Sequence, residues 1–260
     1  MNTLIRDIKK YCRYIVYAAK ADLQSEVTNA YLDWFWWILE PVCNMLIYYL
    51  IFGVVFRNEE QYYLVFIYSG ITMWTFFSRT MTVSVRLIQH SKNIITKVYI
   101  PKSVLLLEKM LVNAFKMLIS WGIVVVLMIP YRIPVDYHLL WLIPILFVFC
   151  IFTYGCGCFL MHFGVYMDDL SYIISIVLNM MFYFNGIFYS VSNKFPQPLG
   201  GLLENANPIA FLIAAMRRVL MYRQEISVSG LLLWLVISII LSVIGTKIIY
   251  KYENSYVKVI

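Results

Sequence analysis

The sequence predicts an all-α integral membrane protein, and three observations support that fold class. Of 260 residues, 62% are hydrophobic and only 13% are charged, whereas a typical soluble domain carries about 25% charged residues. The hydrophobic residues form long runs, each with roughly the 20 residues that a helix needs to cross a bilayer. The net charge of +7 falls mainly outside these runs, where anionic lipid headgroups would attract it. Nucleic-acid binding is therefore not expected.

Residues 1–33 are typical of an amphipathic helix rather than of a signal peptide, because no apolar core follows the basic start. Basic side chains alternate here with apolar ones at helical spacing. This pattern predicts a helix lying in the cytosolic membrane interface, and a loose basic tail is the alternative. The basic residues are Arg6, Lys9, Lys10, Arg13 and Lys20.

Residues 34–260 form the predicted transmembrane domain. Its six spans are predicted at residues 34–56, 62–85, 104–129, 139–165, 172–191 and 231–250. An even number of spans places both termini on one side of the membrane. Lys and Arg are concentrated near the N terminus, in the loop after the second span and in the C-terminal tail, which assigns that side to the cytosol.

The loop at residues 86–103 is the predicted docking element. Ile94, Ile95 and Val98 indicate a short amphipathic helix, and Pro101 is expected to end it. Such a helix across the cytosolic mouth of two spans is well placed to contact a soluble partner. The alternative is an ordinary basic loop that only fixes the orientation of the spans.

Between the fifth and sixth spans, residues 192–226 predict a structured external gate. The apolar segment that starts at Pro208 is too short to cross a bilayer, which favours a re-entrant helix over a passive extracellular loop. Asn207 is expected to cap this helix, with Pro208 in its first turn. Arg217 and Arg218 are expected near the outer surface, with one of them paired to Glu204 or Glu225.

Three ionisable residues lie within predicted spans, namely Glu40, Arg79 and Lys116. Charged groups at such depths are candidates for a substrate pathway, because a membrane span tolerates them poorly without a role. The alternatives are that Arg79 extends to the interface and that Glu40 pairs with a neighbour to fix packing.

No catalytic, cofactor-binding or metal-binding residues are predicted. The sequence has no phosphate-binding G-x-x-x-x-G-K-[ST] loop, no H-E-x-x-H and no G-x-S-x-G, so this chain would not hydrolyse ATP by the phosphate-loop route. Asp168 and Asp169 are better explained as a solvated, helix-capping pair than as metal ligands. The five cysteines lack redox or zinc spacing and are interpreted as packing residues.

Four short motifs, in this order, resemble those of one transporter family. They are Lys20-Ala21-Asp22-Leu23, Trp36 with Pro41, Asn93 with Lys97 and Pro101, and Asn207-Pro208 with Arg217. Over essentially its whole length the chain resembles the membrane subunit of bacterial ABC exporters for lipid-linked polysaccharides such as O-antigen, teichoic acid and capsular glycans. Asp168-Asp169 departs from the Arg-Asp common in that family, and Asp33 stands where a small residue is frequent.

The resemblance implies a homodimer of six-span subunits around a central pore in the bacterial cytoplasmic membrane. Two copies of a separate ATP-binding subunit would bind ATP and Mg²⁺ and drive export. The residues implied in coupling to that subunit are Asn93, Ile94, Ile95, Lys97, Val98, Tyr99 and Pro101. The residues implied in the external gate are Asn207, Pro208 and Arg217.

Three other functions remain compatible with the sequence. An exporter of a drug or small lipid would share the topology and differ in pore width. A membrane-embedded lipid-linked sugar transferase would need a carboxylate or histidine cluster at a membrane face, and Asp168-Asp169 comes nearest to one. A channel or structural assembly protein would have no need of a docking helix.

Overall fold

The computed structural model describes residues 2–28, 33–57, 60–134, 136–194, 196 and 198–259. Residues 29–32, 195 and 197 of the predicted interface and gate segments lie outside this part of the chain. The described residues form helices joined by turns, without a β-strand. The α-helices are α1 (Asn2–Val27), α2 (Trp36–Tyr48), α3 (Tyr63–His90), α4 (Lys92–Ile95), α5 (Lys102–Met128), α6 (Leu142–Gly164), α7 (Leu170–Phe184), α8 (Val191–Lys194), α9 (Leu199–Ala206), α10 (Pro208–Arg217) and α11 (Val228–Val259). The π-helical segments Tyr49–Val55 and Arg218–Tyr222 extend α2 and α10.

Helix α3 is the centre of the bundle. It packs against α5 and α6, while α11 runs along α6 and α1 runs along α5. Most side chains of α3 are buried. Gly164 permits the close crossing of α6 and α3, because a Cβ atom there would lie 1.9 Å from the carbonyl oxygen of Val85. Cys158 packs in the same way against Gly245 of α11, and all five cysteines carry free thiols.

In the described part of the chain, four helical segments are long and apolar enough to cross a membrane. They are Trp36–Val55, Lys102–Met128, Tyr137–Tyr166 and Val228–Tyr256, and they match the predicted first, third, fourth and sixth spans. The number becomes five when Leu199–Ala206 and Pro208–Tyr222, which meet at a bend of 104°, are counted as one span. The chain is therefore an all-helical, multi-pass membrane protein.

The predicted second and fifth spans differ in character from these four. Helix α3 covers the second span with 28 residues, but it is more polar and more buried than the others. Helix α7 has 15 residues and ends at Phe184, short of the predicted end at residue 191. Gly186 explains this early end, because its φ of +67° is the left-handed conformation that commonly terminates helices.

The two ends of the bundle carry different elements. At one end, here called the α4 end, α4 packs against α3, and the loop that follows α4 contacts Glu253 of α11. Tyr250 of α11 donates a hydrogen bond of 2.6 Å to Asp7 of α1. At the other, here called the α9 end, α8, α9 and α10 pack beside the start of α3 and the turn that follows α7. Each end contains one of the two functional segments that the sequence predicts.

Candidate functional site

At the α4 end, the predicted apolar face of the docking helix is divided between two surroundings. Ile95 is only 6% exposed and belongs to the core of the subunit, whereas Ile94 is 48% and Val98 58% exposed. Ile94 and Val98 are four residues apart, so they share one face of the turn. The exposed pair, together with Tyr99 at 64% exposure, forms an apolar surface that we call the docking face.

The docking helix is shorter than predicted, and Pro101 has a different role. Helix α4 spans only Lys92–Ile95, and one further turn follows, in which the amide of Val98 donates to the carbonyl of Ile94 at 3.0 Å. Pro101 does not end this helix; it occupies the N-cap position of α5 with an extended ψ of 132°. The extended backbone that proline favours on either side of itself therefore separates the two helices.

Glu253 of α11 fixes the end of the docking loop, and sequence reasoning missed it. One carboxylate oxygen accepts a hydrogen bond of 3.3 Å from the backbone amide of Lys102, and the other accepts one of 3.2 Å from the hydroxyl of Tyr99. The Lys102 ammonium lies 3.8 Å away. An anion at the first amides of α5 is stabilised by the helix dipole. Desolvation, followed by the charge of Glu253, raises the pKa of Tyr99, so its hydroxyl stays a donor.

A second set of contacts holds the turn between α6 and α7 against α3. Gln89 donates to a carboxylate oxygen of Asp168 at 3.1 Å, and Arg86 donates to the hydroxyl of Ser171 at 2.7 Å. Asp169 occupies the N-cap position of α7, but its side chain accepts no capping hydrogen bond from the described residues. Of the predicted capping pair, one residue therefore binds α3 instead. The described residues contain no cluster of three or more metal-ligating side chains.

The three ionisable residues predicted within spans come together in one cleft of about 50 Å³. Arg79 donates to Glu40 at 2.7 Å, so Glu40 does pair with a neighbour. Lys116 forms an ion pair with Glu26 of α1, and its ammonium lies 5.9 Å from the ring centre of Trp37. Both cations in this cleft thus have an acidic partner. The sequence analysis did not identify Glu26 as the partner of Lys116.

Helix α1 is joined to α5 by a neighbouring pair of charges. Asp22, from the first of the four motifs, forms an ion pair with Lys109, which also lies 3.3 Å from Glu108. A further pair joins Glu26, one turn later in α1, to Lys116, about two turns later in α5. Together these pairs fix the register of α1 along α5. The first motif therefore has a structural explanation in the packing of α1.

At the α9 end, the predicted helix start is confirmed. The side-chain oxygen of Asn207 accepts hydrogen bonds from the amides of Ile209 at 3.1 Å and Ala210 at 3.4 Å, and Pro208 is in the first turn. The side-chain nitrogen of Asn207 donates to the side-chain oxygen of Asn185 at 2.6 Å. This bond ties the start of α10 to the end of α7.

Arg217 is buried inside the subunit, and its expected position near the outer membrane surface stays a prediction. Arg217 is 4% exposed, and its guanidinium lies 3.5 Å above the ring centre of Phe66. It donates to the carbonyl oxygens of Gly186 at 2.7 Å, Ile187 at 2.8 Å and Phe66 at 2.9 Å. Gly70 makes room for it, because a Cβ atom there would lie 2.3 Å from the guanidinium. Arg218 forms an ion pair with Glu204, which confirms the prediction that one of the two arginines pairs with Glu204 or Glu225.

Taken together, bilayer-length helices, a short helix with a docking face and a bent pair of helices at the opposite end define the class of the chain as a multi-pass membrane protein. Its sequence places it more narrowly. Residues 17–221 match the family described as ABC-2 type transporter, and the chain belongs to that family. The members of this family are transporters. The match confirms the resemblance to the membrane subunit of ABC exporters that the four motifs indicated.

Curated relatives match the chain over nearly its whole length. Two proteins of Klebsiella pneumoniae named O-antigen export system permease protein RfbA are each 25% identical, over 247 and 253 residues, which cover 95% of this chain and 94% of each relative. A protein of the same name from Myxococcus xanthus is 23% identical over 219 residues, 84% of each chain. These names describe the relatives.

Proposed function

We propose that the chain is the transmembrane subunit of an ATP-driven exporter that moves a lipid-linked polysaccharide across the bacterial cytoplasmic membrane. The observation that carries this proposal is the similarity to O-antigen export permeases over 95% of the chain, within the ABC-2 family match. Two copies of the chain would enclose the pathway, and two copies of a separate ATP-binding subunit would hold ATP and Mg²⁺.

The proposed topology has six spans and both termini in the cytosol. It takes α3 and α7 as the second and fifth spans and the bent pair of α9 and α10 as a re-entrant gate. The excess of Lys and Arg near the α4 end supports a cytosolic location for that end. Asn207, Pro208 and Arg217 then hold the gate on the external side.

The docking face is the proposed contact with the ATP-binding subunit. Its residues Ile94, Val98 and Tyr99 are exposed and apolar, in a loop that also exposes Asn93 and Lys97. Ile95 and Pro101 support this surface from within the subunit. Glu253 transmits movement of the loop to α11, because it binds Tyr99 and the start of α5 at the same time.

The cleft of Glu40, Arg79 and Lys116 is the proposed point at which the pyrophosphate of the lipid carrier passes. Because Arg79 is bound to Glu40 and Lys116 to Glu26, an anionic substrate has to compete with a carboxylate for each cation. Such competition favours transient contact over tight capture, which suits a translocation pathway.

Co-purification with functional readout tests the proposal. The tagged chain is extracted from its native membrane in mild detergent, and the bound proteins and their ATP hydrolysis are measured with and without extracted lipid-linked polysaccharide. The proposal predicts an ATP-binding subunit whose hydrolysis is stimulated by that polysaccharide. Stimulation by drugs or small lipids alone would favour the other class of exporter. Absence of any ATP-binding subunit would contradict the proposal.

A further inference from the structure

A polar cavity of about 340 Å³ lies behind α10 at the α9 end. Its walls come from the start of α3, the turn after α7, helix α8 and the bent pair of α9 and α10. This volume lies within the range of small-molecule sites. The side chains that could contact a ligand include Asn185, Tyr189, Glu204, Arg217, Arg218 and Tyr222.

Two buried nitrogen donors, on residues that line this cavity, have no hydrogen-bond partner within the described chain. They are the side-chain nitrogen of Asn185 and the Nε of Arg217, on residues that are 1% and 4% exposed. Their other polar atoms are engaged, since the oxygen of Asn185 accepts from Asn207 and the terminal nitrogens of Arg217 bind carbonyls. An unpaired buried donor is costly. A ligand that offers acceptor oxygens would remove that cost.

The charge of the wall selects a neutral ligand. Two carboxylates, of Glu60 and Glu204, face the same cavity as the guanidinium groups of Arg217 and Arg218. The charges balance, and Arg218 is already paired with Glu204. A phosphate-type anion would approach two carboxylates, whereas sugar hydroxyls can both donate to carboxylates and accept from the unpaired donors. The rings of Tyr189 and Tyr222 add apolar surface on which the C–H faces of a sugar can pack.

We infer that this cavity binds one neutral hexose unit of the polysaccharide, whose hydroxyl oxygens accept hydrogen bonds from the side-chain nitrogen of Asn185 and the Nε of Arg217. The inference rests on the proposed function and specifies where the glycan is held at the α9 end. A site beside the bent pair of α9 and α10 would let the glycan itself stabilise one position of these helices.

Saturation-transfer NMR on the full chain in lipid nanodiscs tests this inference without any transport step. The probes are the methyl α-glycosides of glucose, galactose and mannose, with sodium phosphate as the anionic comparison. At least one hexoside should give a transfer signal, and phosphate should not displace it. Asn185→Asp removes the nitrogen donor and keeps the oxygen that Asn207 binds; it should weaken binding at least tenfold, because loss of one hydrogen bond alone accounts for about that factor. Asn205→Asp, at an exposed position of α9 that does not line the cavity, is the matched control and should bind as the wild type does.

Two blocking variants keep the test independent of folding defects. Ala214→Phe fills the cavity from α10, and Gln224→Trp covers it from an exposed position of its rim; both should abolish the signal. Absence of a hexoside signal in the wild type, equal signals in both blocked variants, or displacement by phosphate would overturn the inference. If ATP-driven polysaccharide export persists without hexoside binding, only this inference fails. If binding is present but no ATP-binding subunit associates, the proposed function fails instead.

Discussion

The two ends of the molecule place charged side chains in opposite ways. At the α4 end, Glu253 is a buried carboxylate that receives a backbone amide, a hydroxyl and a nearby ammonium, and an apolar docking face remains exposed beside it. At the α9 end, Arg217 is a buried cation held by three carbonyl oxygens. The α4 end thus keeps an exposed apolar surface beside its buried charge, whereas the α9 end uses its buried charge to hold helices together.

Replacing Arg217 should give the largest effect. Arg217→Met removes three hydrogen bonds from a charged donor, and three buried carbonyl oxygens lose that donor. A loss of at least ~3 kcal/mol in the free energy of unfolding is therefore expected. Arg217→Lys should recover only part of it, because an ammonium lacks the planar fork that reaches three carbonyls. Thermal unfolding in detergent measures both variants. Arg223→Gln, on an exposed neighbour, is the control, and an equally small shift for all three variants would contradict a retaining role.

Glu253 should give the next largest effect, and of a different kind. Glu253→Gln keeps the size of the side chain but leaves the ammonium of Lys102, which is 2% exposed, without its anionic partner, which should cost about 3 kcal/mol. The ratio of polysaccharide moved to ATP hydrolysed should fall several-fold, while binding of the ATP-binding subunit persists.

Tyr99→Phe is the matched variant for this test, because it removes only the hydroxyl that Glu253 accepts and keeps the exposed ring. We expect it to lower the same ratio by a smaller factor. An unchanged ratio in both variants would assign Glu253 a structural role alone.

The sequence predicted local features of these two ends better than long-range ones. Capping by Asn207 involves only residues two and three positions further along the chain, and the structure confirms it. Contact between Glu253 and Lys102 joins residues 151 positions apart, so no local pattern could reveal it. Burial of Arg217 likewise depends on the space left by Gly70 of another helix. The early end of α7, by contrast, could have been predicted locally from Asn185-Gly186. The apolar residues on both sides of this pair led to a predicted span that was too long.

The cleft between the two ends should give the smallest effect on stability. Arg79 and Glu40 are 38% and 54% exposed on their cleft. In the proposed pathway that surface contacts water, which screens their attraction, so Glu40→Gln should cost no more than about 1 kcal/mol. The effect of Glu40→Gln on the apparent affinity for the substrate should be larger, because Arg79 then no longer has a carboxylate partner. Stimulation of ATP hydrolysis by lipid-linked polysaccharide should then require a lower substrate concentration in Glu40→Gln and a higher one in Arg79→Gln. Shifts in the same direction would contradict competition for Arg79.

The most direct test of the account is ATP-driven movement of lipid-linked polysaccharide in proteoliposomes that contain the chain and its ATP-binding subunit. The variant pair to compare is Ile94→Asp with Val98→Asp, both on the docking face, against Ile95→Asp in the core. We predict that the docking-face variants stay folded, lose the ATP-binding subunit and lose transport, whereas Ile95→Asp lowers thermal stability. Normal transport by folded Ile94→Asp and Val98→Asp proteins would contradict the account.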